Sequence, residues 1–256
     1  MKPAYLLLWL VPLLVVADFL SPVPSEAEDQ ARELVLAAVE YYRGEASVAS
    51  FDMTIHRPTW ERTMTLKAWT RGREESLFTI LAPSKDRGNG TLKKGRQMWT
   101  FNPKVNRVIK LPPSMMSQSW MGSDFSNNDL AKSDAIIDDY THTLAGTESH
   151  AGKTVYIVDS IPKPDAPVIW GRQRLAVRED FILLREEYFD EDDILVKVMS
   201  GEDIQEMGGR LFPRVWTMRK ADQTEEYTRI VYHDLEFKTK LPDKLFTLAS
   251  LKRVRQ

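Results

Sequence analysis

Beyond Gly44 the chain places apolar side chains at every second position, and that period limits it to a fold built on sheets with one covered face. Ala49, Phe51, Met53 and Ile55 point one way while Ser50, Asp52, Thr54 and His56 point the other. Successive side chains of a strand alternate between faces, so such a run wets one face and buries the other. Met64, Leu66 and Ala68 repeat the pattern, and Leu211, Val215 and Thr217 repeat it less regularly against Arg214 and Lys220. Further strand-like runs cover 75–82, 97–101, 105–111, 153–159, 168–178, 181–189, 195–204 and 226–237. Short turns such as Asp190 to Asp193 separate most of them, which predicts an antiparallel meander of about eleven strands.

The covering layer has to come from helices. Ser25 and Glu28 stand at capping-box spacing, and Ala31, Leu34, Val35, Ala38 and Tyr42 recur at helical spacing until Gly44, so a helix is predicted over 26–43. Asn127 to Lys132 is a second candidate, and Leu241, Leu245, Phe246, Leu248 and Leu251 form a third with mixed spacing. Three short pieces are little cover for so many strands. The predicted fold is therefore mainly β with a few helices: a curved antiparallel sheet, an incomplete half-barrel, whose concave face the helices only partly fill. A tight sandwich is the alternative.

At the start of the chain, Lys2 precedes an apolar run from Ala4 to Val16 that ends in Val15-Val16-Ala17, the organisation of a signal peptide. The run is short of the ~20 residues needed to span a bilayer. Residues 1–27 are read as a signal peptide, with cleavage after Ala17 or Ala27, and 28–256 as one domain. Export of a chain with no cysteine leaves its stability to a buried core. The formal charge is −2, and removing Lys2, Asp18 and Glu26 with the leader brings it nearer neutral, so neither nucleic acid nor an anionic membrane surface is implied.

Catalytic signatures are sparse. Without cysteine, a thiol nucleophile and a thiolate metal site are excluded, and the chain contains no His-Glu-x-x-His, no Gly-x-Ser-x-Gly and no phosphate-cradling glycine loop. The carboxylates at 190–193 read as a solvated hairpin turn, and Asp124, Asn128 and Asp129 as solvated loop residues. His142 reads as a surface or half-buried strand residue. Neither an enzyme, a metal nor a cofactor is expected; a hydrolase using His142 or His233 is the minor alternative.

One stretch departs from the strand pattern. Arg107 to Leu130 combines Met115, Met116, Trp120, Met121 and Phe125 with Pro112, Pro113, Gly122, Asn127 and Asn128, so bulky apolar groups sit where neither helix nor strand forms easily. Unbranched, polarizable Met suits a surface that accommodates variable apolar partners, and it equally suits a loop folded onto its own core. Elsewhere Trp69, Trp99, Phe101, Trp170 and Trp216 fall in strand-like runs, where aromatic residues are ordinarily core.

Several ordered features resemble a known family. Gly88-Asn89-Gly90-Thr91-Leu92, Met98-Trp99-Thr100-Phe101-Asn102-Pro103, Arg107 with Val108 to Leu111, Met121-Gly122-Ser123-Asp124-Phe125-Ser126, Asp129-Leu130, Asp139-Tyr140 and Tyr188-Phe189-Asp190 are similar to the periplasmic outer-membrane lipoprotein-sorting proteins of the LolA-like superfamily. The chain departs from that pattern in having Asn89 between the glycines and no glycine in the hairpin after Asp190. The resemblance implies an incomplete barrel with an apolar concave face closed by helices and a loop. It also implies a monomeric, non-enzymatic periplasmic carrier of lipid or lipidated protein, delivering toward an outer-membrane acceptor. The alternative it implies is a lipid-binding or sensing module docked to an inner-membrane exporter of the resistance-nodulation-division type. On that reading Met115, Met116, Trp120, Met121 and Phe125 gate the hollow, and Trp99 and Phe101 help line it.

Overall fold

The computed structural model describes residues 26–253. All of the leader but Glu26 and Ala27, and with it Ser25 of the capping box, lies outside them. Thirteen strands form one antiparallel sheet: β1 (Ala46–Arg57), β2 (Trp60–Arg71), β3 (Glu75–Ala82), β4 (Gly90–Lys94), β5 (Gln97–Asn102), β6 (Arg107–Lys110), β7 (Tyr140–His150), β8 (Lys153–Pro162), β9 (Arg172–Arg178), β10 (Leu183–Phe189), β11 (Leu195–Met207), β12 (Arg210–Lys220) and β13 (Tyr227–Lys238). The count exceeds the expected eleven or so. β4 carries only Leu92 as a large apolar residue, and the outer half of β7, Ala145 to His150, shows no apolar alternation. The curved sheet stays open, as the periodicity predicted, because β6 and β7 are its two edges and do not pair.

The strand order is β6-β5-β4-β3-β2-β1-β13-β12-β11-β10-β9-β8-β7. Two meanders thus run outward from the central β1/β13 pair to opposite edges. The chain leaves edge strand β6 and re-enters at edge strand β7, so residues 111–139 have to cross a face of the sheet. They cross the concave one, carrying α2 (Asn127–Ala131) and α3 (Ala135–Asp138). The Met-rich stretch singled out in the sequence is the first part of this crossing.

Helix α1 (Glu26–Arg43) spans the predicted residues and shares the concave side. Its Ala31, Val35 and Ala38 bury against Ile136, Tyr140, Val158 and Leu175. Full burial of each side chain of Val or Leu size contributes about 1.5–3 kcal/mol, so this stripe holds the helix to the sheet. The helix stops at Gly44, whose φ of +61° is open to glycine and whose N–H reaches the Glu40 carbonyl at 2.8 Å.

Register decides which side chains face which way. Ala49, Ala68, Phe78, Thr91 and Thr100 form one line across five strands on the concave face, while Val48, Trp69, Leu77, Leu92 and Trp99 form the adjacent line on the convex face. The convex line is covered by the C-terminal segment, where Leu241, Phe246 and Leu251 of α4 (Leu248–Arg253) and its approach complete a second core. Trp99 and Phe101 belong to this convex core.

The turn after Asp190 shows why its missing glycine is tolerated. Asp193 occupies the left-handed region at φ +61°, a conformation that Asp adopts more readily than most residues. The Asp190 carboxylate accepts the Asp192 and Ile194 N–H groups at 3.0 and 2.9 Å, and Asp193 in turn binds Arg172 at 2.7 Å. Gly171 packs under this turn, and a Cβ there would lie 2.2 Å from the Asp190 carbonyl oxygen. Gly171→Ala should therefore destabilise by about 1–3 kcal/mol, the usual cost of overpacking, and a thermal melt unchanged from wild type would contradict this packing.

Candidate functional site

Between the concave face, α1 and the crossing segment lies a cavity of about 280 Å³. Its floor carries Phe51, Phe78, Met199, Trp216, Ile230 and Leu235. Ala38 and Tyr42 of α1, with Trp120, Phe125 and Leu130 of the crossing segment, enclose it from the other side. The volume is near the lower end of small-molecule pockets, typically ~300–1,000 Å³. A second, more open hollow of about 490 Å³ lies between the crossing segment and β4–β5, with Met115, Met121 and Gly122 on its wall and the Arg62–Asp86 ion pair, at 3.0 Å, among its lining residues.

The crossing segment is pinned by buried polar ties. Trp120 is 4% exposed, donates its indole N–H to Thr91 Oγ1 at 3.0 Å and sets its ring edge-on to Phe78 at 5.1 Å. Asp124 receives two guanidinium N–H groups of Arg57 at 2.9 and 3.2 Å. Ser126 and Asp129 cap α2 reciprocally, at 2.6 and 3.2 Å, and the other tie of Asp129 is an ion pair with Lys197 of β11. Asp134 pairs with Lys93 of β4 and lies 3.3 Å from the guanidinium of Arg43, the last residue of α1. Asp124 and Asp129, expected as solvated loop residues, are thus buried. Each is inside because a strand cation meets it there, which a loop sequence read alone does not disclose.

The far wall of the cavity is polar as well as aromatic. Glu186 and Tyr188 on β10 and Gln173 on β9 line it, and the register, which aligns Tyr188 with both Gln173 and Lys197, puts Lys197 of β11 on the same sheet face just behind them. Burial pushes the Glu186 carboxyl up to about 7, although the Tyr188 hydroxyl bonds to it. The Lys197 ammonium sits over the Trp170 and Tyr188 rings at 4.8 and 5.1 Å. On the other side the Tyr42 and Tyr232 hydroxyls meet at 3.1 Å, and burial raises both. Burial also lowers Lys93 despite its Asp134 partner.

The residues singled out from sequence divide into three groups. Trp120 and Phe125 line the enclosed cavity, and Met115 and Met121 line the outer hollow. Met116 packs on the concave core beside them. Trp99 lines neither, and Phe101 only borders the outer hollow from the convex core; both sit on the opposite strand parity from Met98 and Thr100. His142 is 2% exposed, not half-exposed, with Nδ1 at 2.8 Å from Ser160 Oγ, and burial lowers it to about 4. Neither His142 nor His233 is among the lining residues. Glu186, Tyr188 and Lys197 escaped the sequence reading. Their signal was a charged residue on an apolar parity: Lys197 between Leu195 and Met199, and Glu186 two positions before Tyr188.

Among the described residues no helix is long and apolar enough to cross a membrane, and no group of His, Asp and Glu is arranged to hold a metal ion. Three solved structures share the fold. A DUF1329-family protein from Desulfovibrio piger is 24% identical with a TM-score of 0.78, over 89% of this chain and 100% of that one. An outer-membrane lipoprotein-sorting protein domain from Vibrio parahaemolyticus is 20% identical with a TM-score of 0.75, over 88% and 100%. A LolA-superfamily protein from Nitrosomonas europaea is 24% identical with a TM-score of 0.71, over 86% and 98%. No curated protein matches the sequence significantly. The model of a family described only as uncharacterized-protein-like matches residues 72–253, most of the chain. The chain belongs to that family, and its open, helix-covered sheet is the fold of the LolA-like superfamily that its motifs resemble.

Proposed function

We propose that this protein is an exported, non-enzymatic periplasmic carrier that holds a lipid, or the acyl chain of a lipidated protein, in the cavity beneath the crossing segment. The observation that carries the reading is the cavity itself, an apolar hollow left where helix, segment and sheet meet in a chain long enough to have closed it. A sixteen-carbon chain exposed to water costs on the order of 10 kcal/mol, at ~0.8 kcal/mol per methylene, so a shuttle must supply a dry compartment. At about 280 Å³ the cavity equals roughly nine times the ~30 Å³ share of one liquid water, room for about as many methylene-sized groups. A longer chain requires the crossing segment to move outward. Met115, Met116 and Met121 on that segment can re-pack around an occupant, which makes the segment the gate, with Trp120 as its buried anchor. The fold of the Vibrio and Nitrosomonas proteins supports the same class of role.

Native mass spectrometry of protein purified from a Gram-negative periplasm is expected to show a co-purified amphiphile. Ala49 and Ala68 face each other on the cavity floor. Ala68→Phe should fill the space and weaken uptake of a fluorescent fatty acid about tenfold, ~1.4 kcal/mol, with unchanged far-UV circular dichroism. A protein that carries no amphiphile and takes up none would sink the proposal.

A further inference from the structure

We propose that the cavity has a dedicated head-group subsite, in which the Glu186 carboxylate, backed by Asp129, takes an ammonium or hydroxyl head while the apolar body of the same amphiphile lies on the aromatic floor. This rests on the carrier reading and adds a ligand class to it. Hydrogen-bond donors and acceptors around the cavity do not balance. The cavity's cations are already engaged: Lys93 Nζ donates to the Arg73 carbonyl at 2.8 Å and pairs with Asp134, and Lys132 Nζ donates to the Pro167 carbonyl at 2.7 Å. Arg43 donates to Ser133 Oγ at 2.7 Å and to the Gly72 and Arg73 carbonyls at 3.4 Å. Lys197 is held by Asp129.

Acceptors, by contrast, are in surplus. Asp129 Oδ1 is buried without a hydrogen-bond partner among the described residues. Glu186 faces the cavity and accepts from Tyr188, and above about pH 7, where it ionises, its carboxylate has further lone pairs for several donors. Once Glu186 ionises, above about pH 7, two carboxylates stand against the one ammonium of Lys197, which already lies over the Trp170 and Tyr188 rings, and the site is net negative. A donor head would satisfy these acceptors, whereas a carboxylate head would add a third negative charge to a low-dielectric site. The feature is separate from chain length: the floor sets how much hydrocarbon is held, and this wall sets which head accompanies it.

Displacement of a bound fluorescent lipid by dodecylammonium, dodecanol and dodecanoate at pH 8, where Glu186 is largely ionised, separates the possibilities. The wild-type protein should bind dodecylammonium at least tenfold more tightly than dodecanoate, with dodecanol between them. Glu186→Gln should bring dodecylammonium to the level of dodecanol and leave dodecanol within about twofold. Dodecanoate binding as tightly as dodecylammonium, or a ratio that Glu186→Gln leaves unchanged, overturns the subsite and leaves the carrier intact. Failure of all three to displace a bound probe overturns the subsite alone, and failure of the fluorescent lipid itself to bind overturns the carrier reading together with the subsite. The wild-type ratio is measured on the unaltered chain and decides the matter even where the variant folds poorly.

Discussion

Asp124→Ala is expected to remove about 3–5 kcal/mol of unfolding free energy, the largest loss at any single position of the crossing segment, because it strands a partly buried arginine. The Asp124 side chain is 1% exposed and that of Arg57 15%, and the two guanidinium contacts are joined by a reciprocal pair with Thr228: its Oγ1 accepts the Asp124 N–H at 2.9 Å and donates to Oδ2 at 2.6 Å. Thr228 is itself fully buried on β13, so this one carboxylate ties the crossing segment to β1 and β13, the central pair from which both meanders run. Arg57 keeps a 3.1 Å contact to Glu226 after the substitution, which favours the lower half of the range. The measurement is a urea titration at pH 7: the midpoint should fall with unchanged slope. Arg57→Met combined with Asp124→Leu should cost less than the sum of the single changes, since neither charge is then left alone. A loss below about 1 kcal/mol for Asp124→Ala would mean that the segment is not anchored there.

How much of this was legible in the sequence follows from which interactions are local. Helix α1 was, because Ala31, Val35 and Ala38 mark one stripe and Gly44 ends it. So was the one-sided sheet, since Phe51, Met53 and Ile55 share a parity whatever lies opposite. The crossing of residues 111–139 was not, because it follows from pairing β1 with β13 near the two ends of the described chain, and no short window records that contact. Parity also fails where both neighbours are apolar: Met98, Trp99 and Phe101 form an apolar cluster in which only pairing with Lys93, Leu92 and Gly90 tells which face each takes. The same holds in reverse for Arg185, Glu186 and Glu187, three charged residues of which only the middle one turns into the cavity. Asp124 looked like a turn former among turn formers. Its partner lies sixty-seven positions earlier, so its buried role belongs to tertiary structure.

Two inward-facing groups, the half-buried Glu186 and the buried His142, lean in opposite directions and give the second large expectation, a stability profile that is level between about pH 4.5 and 6.5 in the wild type and tilts in either single variant. Glu186 is raised from 4.5 to about 7 chiefly by burial, with Asp129 also raising it and Tyr188 and Lys197 opposing. Between those values the folded protein keeps a proton that the unfolded chain has lost, so its contribution is complete below 4.5 and disappears as pH rises through 7. His142 is lowered from 6.5 to about 4, again chiefly by burial, with Arg32 and Lys163 adding to the effect. Below 6.5 the unfolded chain takes up a proton that the folded one refuses, so stability falls as pH drops toward 4. Each displacement is worth about 3 kcal/mol at ~1.36 kcal/mol per pH unit, and over the shared interval the two slopes cancel. Glu186→Gln should expose the histidine alone, with stability falling by roughly 2–3 kcal/mol from pH 6.5 to 4.5, and should stabilise the protein at pH 8. His142→Asn should expose the glutamate alone, with stability falling as pH rises from 4.5 to 7. Below about pH 4 every version should weaken together as Asp159 loses its charge-assisted bonds to Arg174 and Arg172. Thermal melts at half-unit pH intervals decide the question: Glu186→Gln tracking the wild type at every pH would show that Glu186 is ionised freely and that the cavity wall is wetter than its burial indicates, whereas divergence above pH 4.5 marks Glu186 as the titrating group inside the hollow.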